Sequence, residues 1–168
     1  FLEKAVDSLS SLPGIGKRTA LRLVLNLLKK DKNIVQNFGK SFIDLVNNIK
    51  YCNKCHAISE TDLCGICLDQ RRDHTQICVV EDIRVMLAIE NTMQYKGVYL
   101  VLGGLISRMD GIGPDDLKFD NLINKVNTNN IKEVIFALST TMEGDTTNFY
   151  LFKKLDKKNI KISSIARG

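Results

Sequence analysis

The sequence contains no tryptophan and no long apolar run, and it has no internal repeat or low-complexity tract. Because a membrane-spanning helix needs about 18 or more consecutive apolar residues, we predict no transmembrane segment. No positively charged segment followed by an apolar one opens the chain, so we also predict no secretory signal peptide. The 168 residues, of which 44% are hydrophobic, can form one ordinary core or a few small modules.

Positive charge is concentrated in the N-terminal part of the chain. Residues 1–50 contain nine lysines and arginines and four acidic residues, which accounts for the whole formal net charge of +5. The remaining residues are therefore neutral overall. A basic module on a neutral body indicates a polyanionic partner, although a solvated lysine-rich surface would give the same count.

The apolar pattern predicts three kinds of segment. Residues 1–50 show apolar spacings of three and four residues around the breaker Pro13–Gly16, which is typical of amphipathic helices. Residues 51–75 have no periodic apolar run and need a covalent or metal staple to fold. From residue 76 onward, β-type runs alternate with helical segments, which predicts a mostly parallel α/β sheet. The predicted strands are Ile77–Val80, Val98–Leu102, Val134–Leu138 and Ile160–Ile165, and the predicted helices are Val85–Ile89, Leu117–Val126 and 146–158.

The first motif is a Gly-Ile-Gly turn between helical segments, within the sequence LPGIGKRTALRL. Gly14 and Gly16 permit a tight hairpin and a close approach of a ligand to the backbone. The free N–H groups at the start of the next helix can bind a phosphate, with Lys17, Arg18 and Arg22 beside it. The pattern predicts a helix-hairpin-helix that binds the DNA backbone without reading bases. An ordinary corner between two helices and a dimer contact are the alternative roles.

The second motif consists of two Cys-x-x-Cys pairs, formed by Cys52, Cys55, Cys64 and Cys67. Each pair directs two sulfurs at one point, and two pairs complete a tetrahedral thiolate shell for zinc. Because the protein fills all four positions, the predicted site is structural. Redox disulfides are the alternative, which the missing secretory signal disfavours. Cys78 is expected to be a buried apolar residue, and His56 is expected to lie on the surface rather than to bind the metal.

Three carboxylates form a further candidate site. Glu81 directly follows the first predicted strand, and Glu143 and Asp145 follow the third after a short polar loop. The carboxyl ends of parallel strands are where open α/β sheets bind ligands, so these groups could converge on Mg²⁺. Helix capping is the alternative, which we favour for Asp82 and Asp145 taken singly.

A long Gly-rich loop, residues 103–117, joins the second predicted strand to the next helix. Loops of this length inside α/β domains are commonly functional. No Gly-Lys-Ser/Thr follows it, so it is not a phosphate-binding loop. The sequence assigns it no other role.

The order of these features resembles the RecR family of bacterial recombination mediators. The resemblance is carried by the four-cysteine segment and by the stretches LPGIGKRTALRL, ICVVED, VLGGLISRMDGIGPDDL and TTMEGDTTNFYL. It implies a multidomain α/β protein with a helical helix-hairpin-helix module at residues 1–50, a small four-cysteine zinc finger at 51–75 and a Toprim domain at 76–168. It also implies a structural zinc ion.

The resemblance further implies a DNA-binding mediator that is not an enzyme. Members of the family form homodimers and homotetrameric rings around DNA, and act with RecO and RecF to help load RecA onto DNA coated by single-strand-binding protein. By the same resemblance Arg18 and Arg22 contact DNA, and Glu81, Glu143 and Asp145 are the acidic positions of the Toprim domain. It implies a cytoplasmic location at the bacterial nucleoid. Family chains usually continue past Arg167–Gly168, which leaves the oligomeric state of this chain open.

The alternative function is a small Mg²⁺-dependent Toprim nuclease or nucleotidyl transferase. Its catalytic groups would be Glu81 and the pair Glu143 and Asp145. Catalytic Toprim enzymes carry Asp-x-Asp at the second of these positions, whereas this sequence reads Glu-Gly-Asp, which weakens the catalytic interpretation. A protein-binding adaptor, in which the hairpin only dimerises, is the third possibility.

Overall fold

The computed structural model describes residues 1–156 and 158–166 of this chain. Lys157, near the predicted end of the last helix, and Arg167–Gly168, beyond which family chains continue, lie outside the described residues. The chain divides into two compact units, Phe1–Asn48 and Ile49–Gly168. Among the described residues, none of the helices could form a membrane span.

The N-terminal unit consists of helices α1 (Leu2–Ser10), α2 (Lys17–Leu27) and α3 (Lys32–Asn48). Helices α1 and α2 pack against each other, and the predicted apolar face of α2 is buried at Ala20 and Val24. Helix α3 has no buried residue, although it carries the predicted apolar spacing. One face of α3 is therefore left exposed, with the side chains Ile34, Phe38, Phe42, Ile43, Leu45 and Val46.

The cysteine-rich segment opens the second unit and contains only short elements. Strands β1 (Lys50–Tyr51) and β2 (Ile58–Ser59) form an antiparallel hairpin, and helix α4 (Gly65–Leu68) follows. These elements are too small to enclose a core of their own, so the segment depends on a metal and on its neighbours, as its composition predicts.

The rest of the second unit is built on a parallel sheet with the strand order β4-β3-β5-β6. This confirms the predicted mostly parallel α/β domain, because the four strands overlap the four predicted runs. Strand β3 begins before the apolar run, since its polar residues from Asp73 onward also pair with a neighbouring strand. The elements in chain order are β3 (Asp73–Val80), α5 (Ile83–Asn91), β4 (Gly97–Val101), α6 (Phe119–Thr128), β5 (Glu133–Ala137), α7 (Met142–Leu155) and β6 (Lys161–Ser164).

The sheet separates two apolar clusters, because successive side chains of a strand point to opposite faces. Ile77 and Val79 of β3 belong to the cluster that contains Leu122 of α6 and Leu151 of α7. The cluster on the other face joins the sheet and α5 to the cysteine-rich segment, and contains Cys78, Val80, Tyr99, Val101, Ala137, Met86, Cys52, Cys55 and Cys67. The cysteine-rich segment therefore forms one side of the domain core.

Candidate zinc centre and nucleic-acid interface

The four cysteines of the paired motif meet at one point. Their sulfur atoms all lie within 4.8 Å of one another, and the sulfurs of Cys55 and Cys64 are 3.5 Å apart. A tetrahedral zinc ion with Zn–S bonds of about 2.3 Å places its sulfurs about 3.8 Å apart. All four cysteines are free thiols, and Cys52, Cys55 and Cys67 are buried. The residues present thus fit a structural zinc ion, and the geometry is not that of a disulfide pair.

Backbone hydrogen bonds shape the two cysteine turns. The N–H of Cys52 donates to the carbonyl of Ala57 at 2.8 Å, and the N–H of His56 donates to the carbonyl of Cys52 at 2.8 Å. His56 has a φ of 60°, the left-handed conformation that closes this turn. The sulfurs accept N–H bonds as well, from Cys64 to Cys52 at 3.3 Å and from Cys67 to Cys64 at 3.4 Å.

These surroundings push the thiol pKa values in different directions. Burial raises the pKa of Cys52, but backbone N–H donors, that of Cys64 above all, outweigh burial and lower it to about 6. Burial raises the pKa of Cys64 to about 11. The hydrogen bond to Cys67, and then burial, raise the pKa of Cys55. Zinc must displace protons from the thiols, so its affinity is expected to fall as the pH falls.

The cysteine turns are attached to the sheet and to α6. The N–H of Val101, in the edge strand β4, donates to the carbonyl of Cys55 at 2.8 Å. The ring of His56 is hydrogen-bonded to the side-chain amide of Asn121 in α6. His56 is half-buried, so it is less accessible than the expected surface histidine, and it is not part of the group of four cysteines that could hold a metal ion. Burial, and then the charges of Lys118 and Lys125, lower the pKa of His56.

Cys78 lies in the centre of the sheet, away from the four-cysteine cluster in sequence. It is 3% exposed, as its apolar surroundings predict. Burial raises the pKa of its thiol to about 12, so this cysteine behaves as an inert apolar side chain.

The hairpin of the N-terminal unit has the backbone geometry that its sequence predicts. Gly14 adopts a φ of 82°, which is accessible at low cost only to glycine, and the N–H of Ile15 donates to the carbonyl of Leu12 at 3.1 Å. Gly16 is the N-cap of α2 and has no side-chain capping bond. The first N–H groups of α2 are thus not capped by that residue and face a site suited to an anion.

The cations that follow the hairpin are arranged along one side of α2. Arg18, Arg22 and Lys29 line a shallow groove of about 360 Å³, and all three side chains are exposed. Lys17 makes only a long exposed contact of 3.8 Å with Asp7, which contributes little. Lys29 is not among the DNA-contacting cations that the sequence predicts. It follows the end of α2, and its spacing of seven residues from Arg22 is the signal that would have placed it on the same side.

The carboxylates predicted for magnesium are divided between two surface depressions. Glu81 and Glu143 line a cleft of about 310 Å³ at the carboxyl end of the sheet, together with Asp110. The carboxylate of Glu81 accepts the N–H of Ser139 at 3.1 Å. Asp145 lines a neighbouring groove instead. In the described part of the chain, the four cysteines are the only group of three or more His, Cys, Asp or Glu residues close enough to hold a metal ion, so magnesium binding by the carboxylates stays a prediction.

Helix capping at the two candidate aspartates has different outcomes. Asp82 caps α5 as predicted, and its carboxylate accepts the N–H groups of Arg84 at 2.8 Å and Val85 at 3.2 Å. The capping role predicted for Asp145 is wrong, because α7 begins earlier, at Met142. The N-cap of α7 is Thr141, whose hydroxyl accepts the N–H of Gly144 at 3.1 Å.

Glu143, Gly144 and Asp145 consequently lie in the first turn of α7 rather than in a loop. A side chain on Gly144 would collide with the backbone carbonyl of Ser139, at 1.8 Å from the added carbon. Packing therefore explains the glycine of the Glu-Gly-Asp sequence without any catalytic role.

The Gly-rich loop is ordered by specific contacts. The hydroxyl of Thr147 in α7 accepts the N–H of Ile106 at 2.9 Å and donates to the carbonyl of Glu143 at 2.7 Å. Ser107 pairs with Ile112 through two backbone hydrogen bonds. These bonds hold the loop against the helix that carries Glu143.

Three family models match consecutive segments of the chain. Residues 2–45 match the RecR helix-hairpin-helix, residues 49–69 match the RecR four-cysteine zinc finger domain, and residues 75–166 match the Toprim domain. These three matches correspond, in chain order, to the helical unit, the cysteine turns and the parallel sheet of the structure.

Curated bacterial proteins named recombination protein RecR are similar to the whole of this chain. The protein of Bacteroides thetaiotaomicron is 57% identical over 100% of this chain and 82% of its own length. Those of Porphyromonas gingivalis strain W83 and Flavobacterium johnsoniae are 55% and 54% identical over 100% of this chain, and over 81% and 82% of their own lengths. Among solved structures, a PLP-bound C-S lyase from Staphylococcus hominis, 19% identical, gives a TM-score of only 0.33 over 58% of this chain and 24% of its own.

Proposed function

This chain belongs to the RecR family of recombination proteins, and we propose that it acts in recombinational DNA repair as a DNA-binding mediator and not as an enzyme. Its modules are a DNA-binding hairpin at residues 1–50, a zinc finger at 51–75 and a Toprim domain at 76–168. Its partners are RecO and RecF, with which it helps to load RecA onto DNA coated by single-strand-binding protein. It works in the bacterial cytoplasm, at the nucleoid.

The observation that carries this proposal is the row of exposed cations beside the Gly14–Gly16 hairpin. Backbone N–H groups at the start of α2 and the side chains of Arg18 and Arg22 offer donors and positive charge to phosphate oxygens. Contacts of this kind position a protein on DNA and carry no sequence information. Equilibrium binding of single-stranded and duplex DNA at about 50 to 200 mM salt tests the proposal, and a chain that bound neither would contradict it.

Zinc has a structural role in this function. The four thiolates fill the tetrahedral shell, so no position is left for a substrate or a reactive water. The ion closes the cysteine turns, which in turn complete one face of the sheet core.

The exposed apolar face of α3 supports self-association. Phe38 and Phe42 make an edge-to-face contact with ring centroids 5.0 Å apart, and both remain about half exposed, at 48% and 54%. Contiguous apolar surface of this kind marks interaction sites. A second copy of the chain, packed on the same face, would bury it and give the homodimer from which a homotetramer is assembled.

A charge placed on this face is expected to weaken the dimer. Phe42→Asp removes an aromatic anchor of the interface and places a carboxylate there, at a cost of about 2 kcal/mol, or roughly 30-fold in the dissociation constant. Sedimentation equilibrium measures the effect. Asn37→Asp, which adds the same charge at an exposed position on the polar side of α3, serves as the control. Equal dimerisation by both variants would place the interface elsewhere.

A Toprim nuclease or nucleotidyl transferase is the second candidate, favoured only by the cleft that Glu81 and Glu143 share. We expect no cleavage of DNA in the presence of Mg²⁺, because no three carboxylates of the described residues lie close enough together to hold a metal ion. A nicking assay with the full chain tests this. Cleavage that disappears in Glu81→Gln and persists in Glu60→Gln, an exposed control on the finger, would instead favour the enzyme.

A further inference from the structure

Lys125 of α6 is a partly buried cation whose charge has no carboxylate partner. No carboxylate lies within ion-pair distance of its ammonium group among the residues that the structure describes. The side chain lines a cavity of about 340 Å³, whose wall includes Lys54 and Cys67 of the finger and His74 of β3. A charge taken out of water is costly unless something of opposite sign offsets it. A negative charge beside the cavity would offset that cost.

The cavity brings Lys125 together with Cys67, one of the four cysteines of the zinc centre. Burial lowers the pKa of Lys125, whereas the fields of Cys67, Cys55 and Cys52 act to raise it, so all three sulfurs are within electrostatic range. When zinc is bound by four thiolates, the centre carries two net negative charges. Lys54 is also nearby, but it is exposed, so solvent and salt screen its charge more than that of Lys125.

Helix α6, which carries Lys125, is also attached to the first cysteine turn. Asn121 lies one helical turn before Lys125, and its amide is hydrogen-bonded to His56, the residue after Cys55. The contact fixes the helix against the first cysteine turn. Lys125 therefore lies on a helix that is attached to the finger, in a cavity that it shares with Cys67.

We propose that Lys125 is the counter-cation of the zinc–thiolate centre, and that it slows the release of zinc. The same cavity also carries asparagines and a histidine, which would suit a phosphate. A phosphate there would stand beside Cys67 and its doubly negative centre, so the geometry favours the counter-cation role over an anion site.

The test compares zinc release from the full, zinc-loaded chain and its variants, measured by transfer to a chromogenic chelator at neutral pH. Lys125→Met and Lys125→Gln are expected to release zinc roughly ten-fold faster, the lower end of the effect known for groups that support metal ligands. Lys125→Arg, which keeps the charge, should release zinc at close to the rate of the unmodified chain. Lys154→Met, at a cation on α7, should leave the rate unchanged.

Three results would overturn the proposal. Release from both Lys125→Met and Lys125→Gln at the unmodified rate would show that the charge does not act on the centre. If Lys125→Arg released zinc as fast as Lys125→Met, the faster release would come from altered side-chain packing and not from the lost charge. A loss of DNA affinity in Lys125→Gln, with zinc release unchanged, would show that Lys125 binds a phosphate group of DNA instead.

Discussion

A Cys64→Ser variant is expected to lose its zinc and to disrupt one whole face of the sheet domain, not the finger alone. A structural zinc ion contributes about 10 kcal/mol or more of apparent binding free energy, which is as large as the entire stability of an ordinary domain. Cys52 and Cys55 belong to the same apolar cluster as Val80 and Tyr99, so opening the finger removes part of the core. Zinc content by elemental analysis and thermal unfolding by circular dichroism measure the two effects.

Cys78→Ser provides the matched control, since it makes the same chemical change in the same cluster at a residue that is not a ligand. It is expected to retain one zinc per chain and to lose about 1–3 kcal/mol, the cost of burying a hydroxyl without a good partner. A Cys64→Ser protein that kept one zinc per chain and the unmodified melting temperature would contradict both the ligand assignment and the shared core.

Replacement of Arg18 and Arg22 by alanine is expected to reduce both the affinity for DNA and its dependence on salt. Each phosphate contact contributes about 0.9 to the slope of log K against log salt on duplex DNA, so the slope should fall by about 1.8 and the affinity by roughly 60-fold at 0.1 M salt. Fluorescence anisotropy with a labelled duplex at several salt concentrations gives both quantities.

The control for this experiment removes the same charge from the other unit. Lys153→Ala combined with Lys154→Ala changes two cations on α7 and should leave the slope nearly unchanged. If the two double variants weaken binding equally, the DNA responds to net charge alone and the hairpin has no special role. If the slope were unchanged when Arg18 and Arg22 are replaced by alanine, the hairpin would serve self-association of the protein and not DNA binding.

Local sequence patterns were sufficient to predict the zinc centre and the strands and helices, because these depend mainly on residues close together in the sequence. The Cys-x-x-Cys spacing predicts the zinc centre because each turn is closed by backbone bonds within a few residues, as at Cys52 and Ala57. Alternation of apolar runs and helical segments predicts the parallel sheet, because a helix between two strands returns the chain to begin the next strand in the same direction. The start of α7 was missed because the prediction relied on the carboxylate of Asp145, whereas the hydroxyl of Thr141 caps the helix four residues earlier.

Contacts between distant parts of the chain could not be predicted in this way. His56 meets Asn121, and Lys125 shares a cavity with Cys67, only because the finger and α6 both pack against the sheet around β4. No local pattern around His56 or Lys125 indicates a partner more than fifty residues away. The division of the predicted carboxylates between two grooves has the same origin, since it depends on where α7 begins relative to β5.

The hydrogen bond between Val101 and Cys55 also affects whether newly synthesised chains can pair with one another through their edge strands. Strand β4 lies at the border of the sheet, and an unpaired border strand is a template for strands of other molecules. The N–H of Val101 already donates to the carbonyl of Cys55, so the closed finger leaves this donor of the edge strand unavailable to other chains. A chain synthesised under zinc starvation would present this border open, and intermolecular β-pairing would then compete with its folding.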